Sequence, residues 1–425
     1  MYPIRYIHAA DLHLDAAFQG LAGEDHPQAG HVSKLVHQAT FTALERLVDL
    51  CDRERPDFLV IAGDMYNQED QSFRAQLALR DACESLAAFG TEVFLAHGNH
   101  DPLSSLLHTL HWPANVKIFD STVESYPVSR EGETVAIVHG ISHENAKEGR
   151  NLARFFKRAD SACFQLGVLH GTLEGCTATG SAPCTLDDLR ASGLDAWALG
   201  HVHDRALLSA ENPFVLYAGN SQGLHIDEEG ERGCFLVQAA PSSDGFTCST
   251  VFKPLGPVIW LTRELSLEGM EQPEALEALL HNTLDELAAN APPSCEIVLT
   301  RLRLTGRTPL DSTLRRPSKL AELCERLRSS ATRPFAWLKD IDLQTAPDFD
   351  ISAMRSRDDL LGEALRQAEA GRATPKTLRE LVYSSLQPML GQSKVRKILP
   401  ALSEEDCSNI LNDAERLCID LLEND

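Results

Sequence analysis

The chain has 425 residues, more than one hydrophobic core usually supports, so two or three domains are expected. Its composition, 43% hydrophobic and 24% charged, excludes a largely disordered chain, and no apolar run reaches the roughly 18 residues of a membrane helix. The formal net charge of −23 counts against a broad polyanion-binding surface, because phosphate contacts call for basic side chains.

The chain start and the cysteines indicate the compartment. The segment Tyr2 to Ala10 leads directly into a strand-like pattern and lacks the features of a signal peptide. The 11 cysteines are scattered, and an odd number without a Cys-x-x-Cys pair argues for reduced thiols. We therefore expect a cytoplasmic protein without a membrane segment.

From Ile4 to about Leu255, short apolar strands alternate with amphipathic helices, which predicts a layered α/β domain. One helix ends before Pro56, and a second runs from about Gln71 to Phe89. The candidate strands are Ile4–Ala10, Phe58–Ala62, Glu92–Leu95, Thr134–Val138, Phe164–Leu169, Ala196–Leu199, Phe214–Tyr217 and Cys234–Val237. Polar residues follow most of these strands, at the sheet edge where ligands usually bind.

The pattern changes after Pro257. Strands and helices alternate up to about 346, which predicts a small α+β domain, and the remainder is wholly helical. We expect three domains, over 1–255, 256–346 and 347–425. In the last helix, capped by Ser403, one apolar stripe comprises Ile410, Leu411, Ala414, Leu417, Cys418, Leu421 and Leu422.

Five short motifs occur in order, each at or just past the end of a predicted strand. They are Asp11-Leu12-His13, Gly63-Asp64, Gly98-Asn99-His100-Asp101, His170-Gly171 and Gly200-His201-Val202-His203. Alternate residues of a strand project from one face, so Asp11 and His13 can aim at one place, as can His201 and His203. Carboxylate, amide and imidazole ligands without thiolates suit manganese, iron or zinc.

The motif set resembles the signature of the calcineurin-like metallophosphoesterases. The resemblance implies an α/β fold, a four-layer β-sandwich flanked by helices, here with a small α+β cap and a helical C-terminal region. It also implies two divalent metal ions bridged by Asp64, and manganese is the metal that we expect. One ion would be held by Asp11, His13, Asp64 and His203, and the other by Asp64, Asn99, His170 and His201.

The resemblance gives His100 the role of the family histidine that hydrogen-bonds the phosphate or protonates the leaving alkoxide. In related nucleases the third residue after the bridging aspartate is usually a His or Asp that orients this histidine, and this chain has Asn67 there. An amide cannot stabilise an imidazolium as a carboxylate does. Either catalysis is slower, or Asp70 or Asp101 takes that role.

Four further histidines fall near the same edge. We expect His8, His97 and His139 to be core residues or hydrogen-bond partners of ligands rather than ligands. His225 follows the last motif and could reach the substrate phosphate, the alternative being a loop residue on a solvated surface.

The segments Ile7 to Asp15 and Tyr217 to Gly233 resemble those of SbcD-type and YhaO-type proteins, which implies a DNA repair exonuclease acting at double-strand breaks. Two basic runs could contact DNA, although such runs are most often solvated faces. The first lies between 150 and 158. The second has a local excess of five positive charges and contains Arg301, Arg303, Arg307, Arg315 and Arg316.

The resemblance further implies a coiled-coil ATPase partner of the SbcC or YhaN type, docked on the C-terminal helices, and a possible homodimer. Two alternatives stay open. The first is a phosphodiesterase or phosphatase of the same fold that acts on nucleotides or phosphoproteins. The second is a non-catalytic scaffold subunit, whose usual mark is a missing ligand; none is missing here.

Overall fold

The structure, a computed structural model, describes residues 2–18, 29–67, 69, 72–105, 111–175, 180–243, 245–328, 335–348, 351–390 and 402–423. It divides into two compact units. The first comprises Met1–Arg263, Leu280–Leu302 and Cys324–Ile341, and the second Glu264–Leu279, Arg303–Leu323 and Asp342–Asp425. Residues of the predicted middle domain contribute to both units, and the three-domain division stays a prediction.

The chain alternates strands and helices as far as 346 and is helical beyond. The strands are β1 (Ile4–Ala9), β2 (Phe58–Ala62), β3 (Glu92–Ala96), β4 (Val116–Ile118), β5 (Glu124–Arg130), β6 (Glu133–Gly140), β7 (Phe164–His170), β8 (Ala196–Gly200), β9 (Ala206–Ser209), β10 (Phe214–Tyr217), β11 (Gly233–Ser242), β12 (Gly245–Pro254), β13 (Val258–Ser266), β14 (Ile297–Arg307) and β15 (Phe335–Ala346). The helices are α1 (Ala29–Glu54), α2 (Phe73–Ala88), α3 (Leu186–Ala191), α4 (Pro273–Ala289), α5 (Asp311–Leu314), α6 (Pro317–Arg328), α7 (Ile351–Arg355), α8 (Leu360–Arg372), α9 (Pro375–Leu390) and α10 (Glu404–Glu423).

Two six-stranded sheets form the centre of the first unit, in the orders β12-β11-β1-β2-β3-β4 and β5-β6-β7-β8-β10-β9. Their facing side chains make one buried cluster, in which Tyr6 stacks on Phe58 with ring centroids 5.1 Å apart and meets Phe164 at 6.0 Å. Strands β2, β7 and β8 are buried at every residue. Such strands read as unbroken apolar runs because both faces of the parallel sheet are covered.

Helices cover the outer faces of both sheets. Leu59 and Ile61 of β2 face outward and pack with Leu44 and Leu47 of α1 and with Leu79 of α2. On the other sheet, Trp197 of β8 packs with Leu189 of α3 and with Leu152 of a short 3-10 turn. The layers are therefore helix, sheet, sheet and helix, which confirms the predicted four-layer fold.

The sequence prediction missed several strands at the sheet edges. Strand β5 is an example, since its sequence Glu124–Arg130 is mostly exposed or half-buried and contains Pro127. Proline is tolerated on an edge strand, where its missing N–H is not needed by the ladder. Edge strands bury few side chains and therefore lack the apolar run that marked the central strands.

The remaining strands form a three-stranded sheet in the order β13-β14-β15. In the second unit, helices α8, α9 and α10 pack together through Leu365, Val382 and Leu411, so the predicted helical C-terminal region is confirmed. Ser403 caps α10 as predicted, because its Oγ accepts from the Asp406 amide at 3.0 Å.

The predicted apolar stripe of α10 is only partly buried. Of its members, Leu411 is buried, whereas Leu417 and Leu421 are 58% and 61% exposed; Ile419, which was not in the predicted stripe, is also buried. Within the described residues, no helix is long and apolar enough to cross a membrane. The ten described cysteines are free thiols, as expected.

Candidate metal centre

The predicted ligands stand at the carboxyl ends of the central strands of both sheets. Asp11 lies just past β1, Asp64 follows β2 through Gly63, and Asn99 follows β3 through Gly98. His170 is the last residue of β7, and His201 comes directly after β8. Because these strands lie side by side in two facing sheets, residues far apart in sequence meet at one edge.

Two groups of ligand atoms form there. One atom from each of Asp11, His13 and His203 lies within 4.8 Å of the other two, and the same holds for Asp64, His170 and His201. Asn99 joins the second group, since its Oδ1 is 3.0 Å from His170 Nε2. All seven residues predicted as ligands are thus brought together.

Asp64 lies between the two groups. Its Oδ1 accepts from the His100 backbone N–H at 2.8 Å. Its Oδ2 is 3.2 Å from His170 Nε2 and 3.9 Å from His13 Nε2. This is the placement that a bridging carboxylate requires.

Oxygen atoms orient two of the imidazoles. His13 Nδ1 is 2.8 Å from Asn67 Oδ1, and His203 Nδ1 is 2.5 Å from Glu228 Oε1. These oxygens accept hydrogen bonds, so each Nδ1 carries the proton and each Nε2 is left with a lone pair. The two Nε2 atoms are 3.1 Å apart. Only a shared proton or a shared cation makes that approach favourable.

The residues present fit a pair of divalent ions. His201 Nε2 is buried and has no hydrogen-bond partner in the described part of the chain. At Gly98 a Cβ atom would lie 2.2 Å from Asp64 Oδ1 and 2.7 Å from His170 Nε2, so only glycine admits this convergence. The carboxylate, amide and imidazole donors are those of ions that keep water in their coordination shell.

Burial and neighbouring charges shift the pKa values of the proposed ligands in opposite directions. Burial lowers the pKa of His170, but the carboxylates of Asp64 and Asp11 outweigh it and raise the pKa to about 9. Burial likewise raises the pKa of Asp64, but His170 and His13 bring it well below its usual range. A metal ion and a proton would therefore compete for the His170 imidazole, because only the neutral ring binds a cation.

His100 is exposed at the rim of the centre, and its ring meets the His13 ring edge-on at 5.1 Å. The predicted support for His100 is arranged differently. The Asn67 oxygen faces His13 Nδ1, and Asp101 accepts the Gly98 and Met65 amides at 2.7 and 3.0 Å. Asp101 thus ties two ligand-bearing loops together, and Asp70 lies outside the described residues.

Three of the other predicted histidines are buried, and His225 is not. His8 donates to Leu199 O at 3.1 Å between the sheets, and His139 bonds Ser125 and Gln165. His97 is 3.5 Å from Asp101. His225 is 39% exposed, and its Nε2 is 3.3 Å from Glu228 Oε1.

Two contributors to the centre went unnoticed in the sequence. Glu228 lies 25 positions after His203, in no motif, and is buried. His143 is fully buried, donates to the His170 carbonyl at 2.7 Å and packs edge-on against that ring. A glutamate within an acidic stretch and a histidine after a strand carried no local signal.

The arginines predicted to contact DNA mostly have protein partners. Arg301 pairs with Asp340 and Arg303 with Asp342 at 2.7 and 2.8 Å, while Arg315 pairs with Asp311 at 2.9 Å. Arg307 reaches Pro347 O at 3.3 Å, and Arg316 is exposed. The local excess of positive charge counted in the sequence is therefore reduced by Asp340 and Asp342, two acids that lie outside the linear run.

The first basic run, between 150 and 158, is neutralised in the same way. Its Arg150, Arg154 and Arg158 pair with Glu148, Asp188 and Asp195 at 2.6, 2.8 and 2.9 Å.

A pocket of about 350 Å³ opens beside the centre. Asn99 and His201 line it on the metal side, and Lys147, Gly149 and Gly180 line it elsewhere. Lys147 is exposed and belongs to no ion pair found in the described residues. The pocket is also lined by Glu148, which pairs with Arg150, so among the described residues Lys147 supplies an unpaired cation beside the proposed metal ligands Asn99 and His201.

Comparisons with known proteins agree with this geometry. A family model of calcineurin-like phosphoesterases matches residues 4–205, and one of the middle domain of metallophosphoesterase YhaO matches residues 260–346. The chain is 32% identical over 400 residues to the uncharacterized metallophosphoesterase YhaO of Bacillus subtilis (strain 168), covering 93% of this chain and 95% of that protein.

Solved structures resemble the chain only weakly. A dimetal phosphatase from Danio rerio gives a TM-score of 0.34 at 14% identity, over 59% of this chain and 98% of that one. Zinc-bound Vps29 from Entamoeba histolytica gives 0.26 at 10% identity, over 59% and 99%. These scores are too low to bear on fold or function. The 32% identity to YhaO over nearly the full length of both chains, and the phosphoesterase match over the ligand-bearing strands, show that the chain belongs to the calcineurin-like metallophosphoesterases.

Proposed function

We propose that this chain is a metal-dependent phosphodiesterase that cleaves DNA, an exonuclease of the SbcD type that uses manganese. The observation that carries the phosphodiesterase part is the pair of ligand groups joined by Asp64 beside an open pocket. Two divalent ions, when bound, polarise the phosphoryl oxygens and stabilise the charge that develops on the attacking and leaving oxygens.

The protein's own residues have separate tasks in this proposal. Asp64 and the imidazoles hold the ions, and their buried surroundings strengthen each charge interaction. His100 stands exposed at the rim, where its imidazole donates a proton to the leaving alkoxide. Lys147 in the pocket pairs with a phosphate of the substrate.

The DNA substrate is supported by the SbcD-like segments Ile7 to Asp15 and Tyr217 to Gly233. Two exposed lysines, Lys147 and Lys157, form no ion pair within the described residues and are free to contact a phosphate. The partner is proposed on the same resemblance, a coiled-coil ATPase of the SbcC or YhaN type in the cytoplasm. Its docking surface would be the exposed side of α10, which carries Leu417 and Leu421.

The test is digestion of end-labelled linear duplex DNA with manganese. We expect stepwise release of nucleotides by the wild-type chain, none by Asp64→Ala, and a loss of 100-fold or more, on the order of one general acid's contribution, with His100→Ala. A small phosphodiester is assayed in parallel. Intact DNA together with Asp64-dependent turnover of the small substrate would reject DNA as substrate and keep the phosphodiesterase.

Lys147→Ala separates substrate binding from metal binding. Loss of one charged hydrogen bond, about 1.5–3 kcal/mol, should raise KM for DNA by roughly 10-fold or more. Metal content should stay unchanged, and Lys147→Arg should restore most of the affinity. Lys376→Ala, a change at an exposed lysine of α9, is the matched control. An unchanged KM in Lys147→Ala would remove the lysine from the substrate site.

A second candidate is a phosphodiesterase for nucleotides or phosphoproteins. The pairing of Arg301, Arg303 and Arg315 with aspartates favours it, as does the net charge of −23. In the same assay this candidate predicts turnover of small substrates without nucleotide release from duplex DNA.

A further inference from the structure

We propose that Glu228 is a positioning residue, which fixes the His203 imidazole for metal binding and makes the two metal positions unequal in affinity. This inference rests on the metal centre and does not depend on DNA being the substrate. No motif contains Glu228, and its role follows from contacts made in the folded chain.

Glu228 is held on both of its oxygens. The residue is only 5% exposed, and Oε1 lies 2.5 Å from His203 Nδ1. Oε2 accepts from Asn220 Nδ2 at 2.9 Å and from the Leu224 amide at 2.6 Å. A buried carboxylate with both oxygens anchored cannot rotate away from the histidine it contacts.

The contact decides which nitrogen of His203 can bind a metal ion. A carboxylate accepts, so Nδ1 must carry the proton, and Nε2 is left bare facing His13 Nε2 at 3.1 Å. Carboxylate partners of this kind fix the tautomer and ring orientation of metal-binding histidines and increase their basicity. Glu228 therefore prepares His203 before an ion arrives.

Two of the other imidazoles, those of His13 and His170, have weaker partners on their remote nitrogens. His13 Nδ1 faces the neutral amide oxygen of Asn67, and His170 Nδ1 faces the carbonyl of Ala62 at 2.9 Å. Of these three partners, Glu228 alone carries a full negative charge. Asp64 would bridge both ions. The ion held by Asp11, His13, Asp64 and His203 should therefore bind more tightly than the ion held by Asp64, Asn99, His170 and His201.

The experiment measures metal binding in Glu228→Gln, with Glu229→Gln as the control. Glu229 is the next residue, is exposed and undergoes the same chemical change. Calorimetric titration of the metal-free chains with zinc should show two classes of site in the wild type. We expect Glu228→Gln to weaken the tighter class by about 10- to 100-fold, to leave the weaker class within threefold, and Glu229→Gln to change neither.

A second measurement needs no variant and guards against a misfolded Glu228→Gln chain. In the zinc-loaded wild type, ¹⁵N NMR of labelled histidines should show His203 protonated on Nδ1 and bound through Nε2. A proton on Nε2, equal weakening of both classes in a folded Glu228→Gln chain, or no weakening would overturn the proposal. None of these outcomes depends on nuclease activity, so they are independent of the DNA assay.

Discussion

Four residues of the metal centre have left-handed backbone conformations, which residues other than glycine rarely adopt. Asp11, His13, Asp64 and His201 have φ values of 50°, 41°, 51° and 93°. Such residues cost roughly 1–3 kcal/mol each and persist where the surroundings determine them fully. Here backbone hydrogen bonds of 3.0 Å from Asp11 to Gly63 and from His13 to Asp64 bind the two loops together. The strain aims side chains from adjacent loops at one point.

A methyl group at Gly98 should disrupt this convergence. Its Cβ would lie 2.2 Å from Asp64 Oδ1 and 2.7 Å from His170 Nε2, both inside the centre. We expect Gly98→Ala to lose at least one bound metal ion per chain, measured by elemental analysis after dialysis, and to lose phosphodiester hydrolysis with it.

The control for Gly98→Ala is Gly30→Ala in α1. A Cβ there meets nothing within 4 Å, and alanine favours a helix by up to about 1 kcal/mol. Gly30→Ala should therefore keep both ions and unfold at the same or a slightly higher temperature. Two tightly bound ions in Gly98→Ala would show that the loop can move aside.

At the scale of elements, the two central sheets are joined by a buried polar contact as well as by apolar packing. His8 of β1 is 1% exposed and donates from Nε2 to Leu199 O of β8 at 3.1 Å. Burial lowers the pKa of His8 to about 3, although the bond to Leu199 opposes that shift. The histidine is thus a neutral core residue, as the sequence led us to expect.

The depressed pKa of His8 predicts acid sensitivity. An unfolded histidine takes up a proton near pH 6.5, whereas His8 in the folded chain does so only near pH 3. The stability that neutral His8 contributes is therefore fully present above pH 6.5. As the pH falls from 6.5 towards 3, this contribution to the free energy of unfolding decreases by about 1.4 kcal/mol per pH unit. Urea unfolding of metal-free protein at pH 7.5 and 5.5 should show this loss.

His8→Gln provides the comparison, since a glutamine has no proton to take up in this range. The variant should be less stable at pH 7.5 but should lose about 1 kcal/mol less than the wild type on acidification to pH 5.5. Equal losses in both chains would mean that His8 does not contribute to the pH dependence.

On the scale of the whole molecule, some large apolar side chains lie on the surface and not in a hydrophobic core. Within the second unit, α10 buries Cys407, Leu411 and Ile419 but leaves Leu417 and Leu421 more than half exposed. Neither exposed leucine is needed to hold the helices together. This is the surface that we propose for the ATPase partner.

Charges at these two positions should separate assembly from stability. Leu417→Glu combined with Leu421→Glu should leave the melting temperature within about 2 °C of the wild type, because exposed substitutions usually change stability by less than about 0.5 kcal/mol. Metal content and DNA cleavage by the chain alone should be unchanged. Co-purification with a YhaN-type ATPase should be lost, and its persistence would place the docking surface elsewhere.

The sequence by itself determined the fold class and the seven proposed ligands, because each ligand lies at or just past the end of a strand that the sequence shows as a short apolar run. Local patterns carry that information. Only the tertiary structure decided that Asn67 faces His13, that Glu228 orients His203, and that Arg301 and Arg303 meet Asp340 and Asp342. These contacts join residues 25 to 54 positions apart, and the packing of strands and loops, which no local pattern encodes, determines which of them meet.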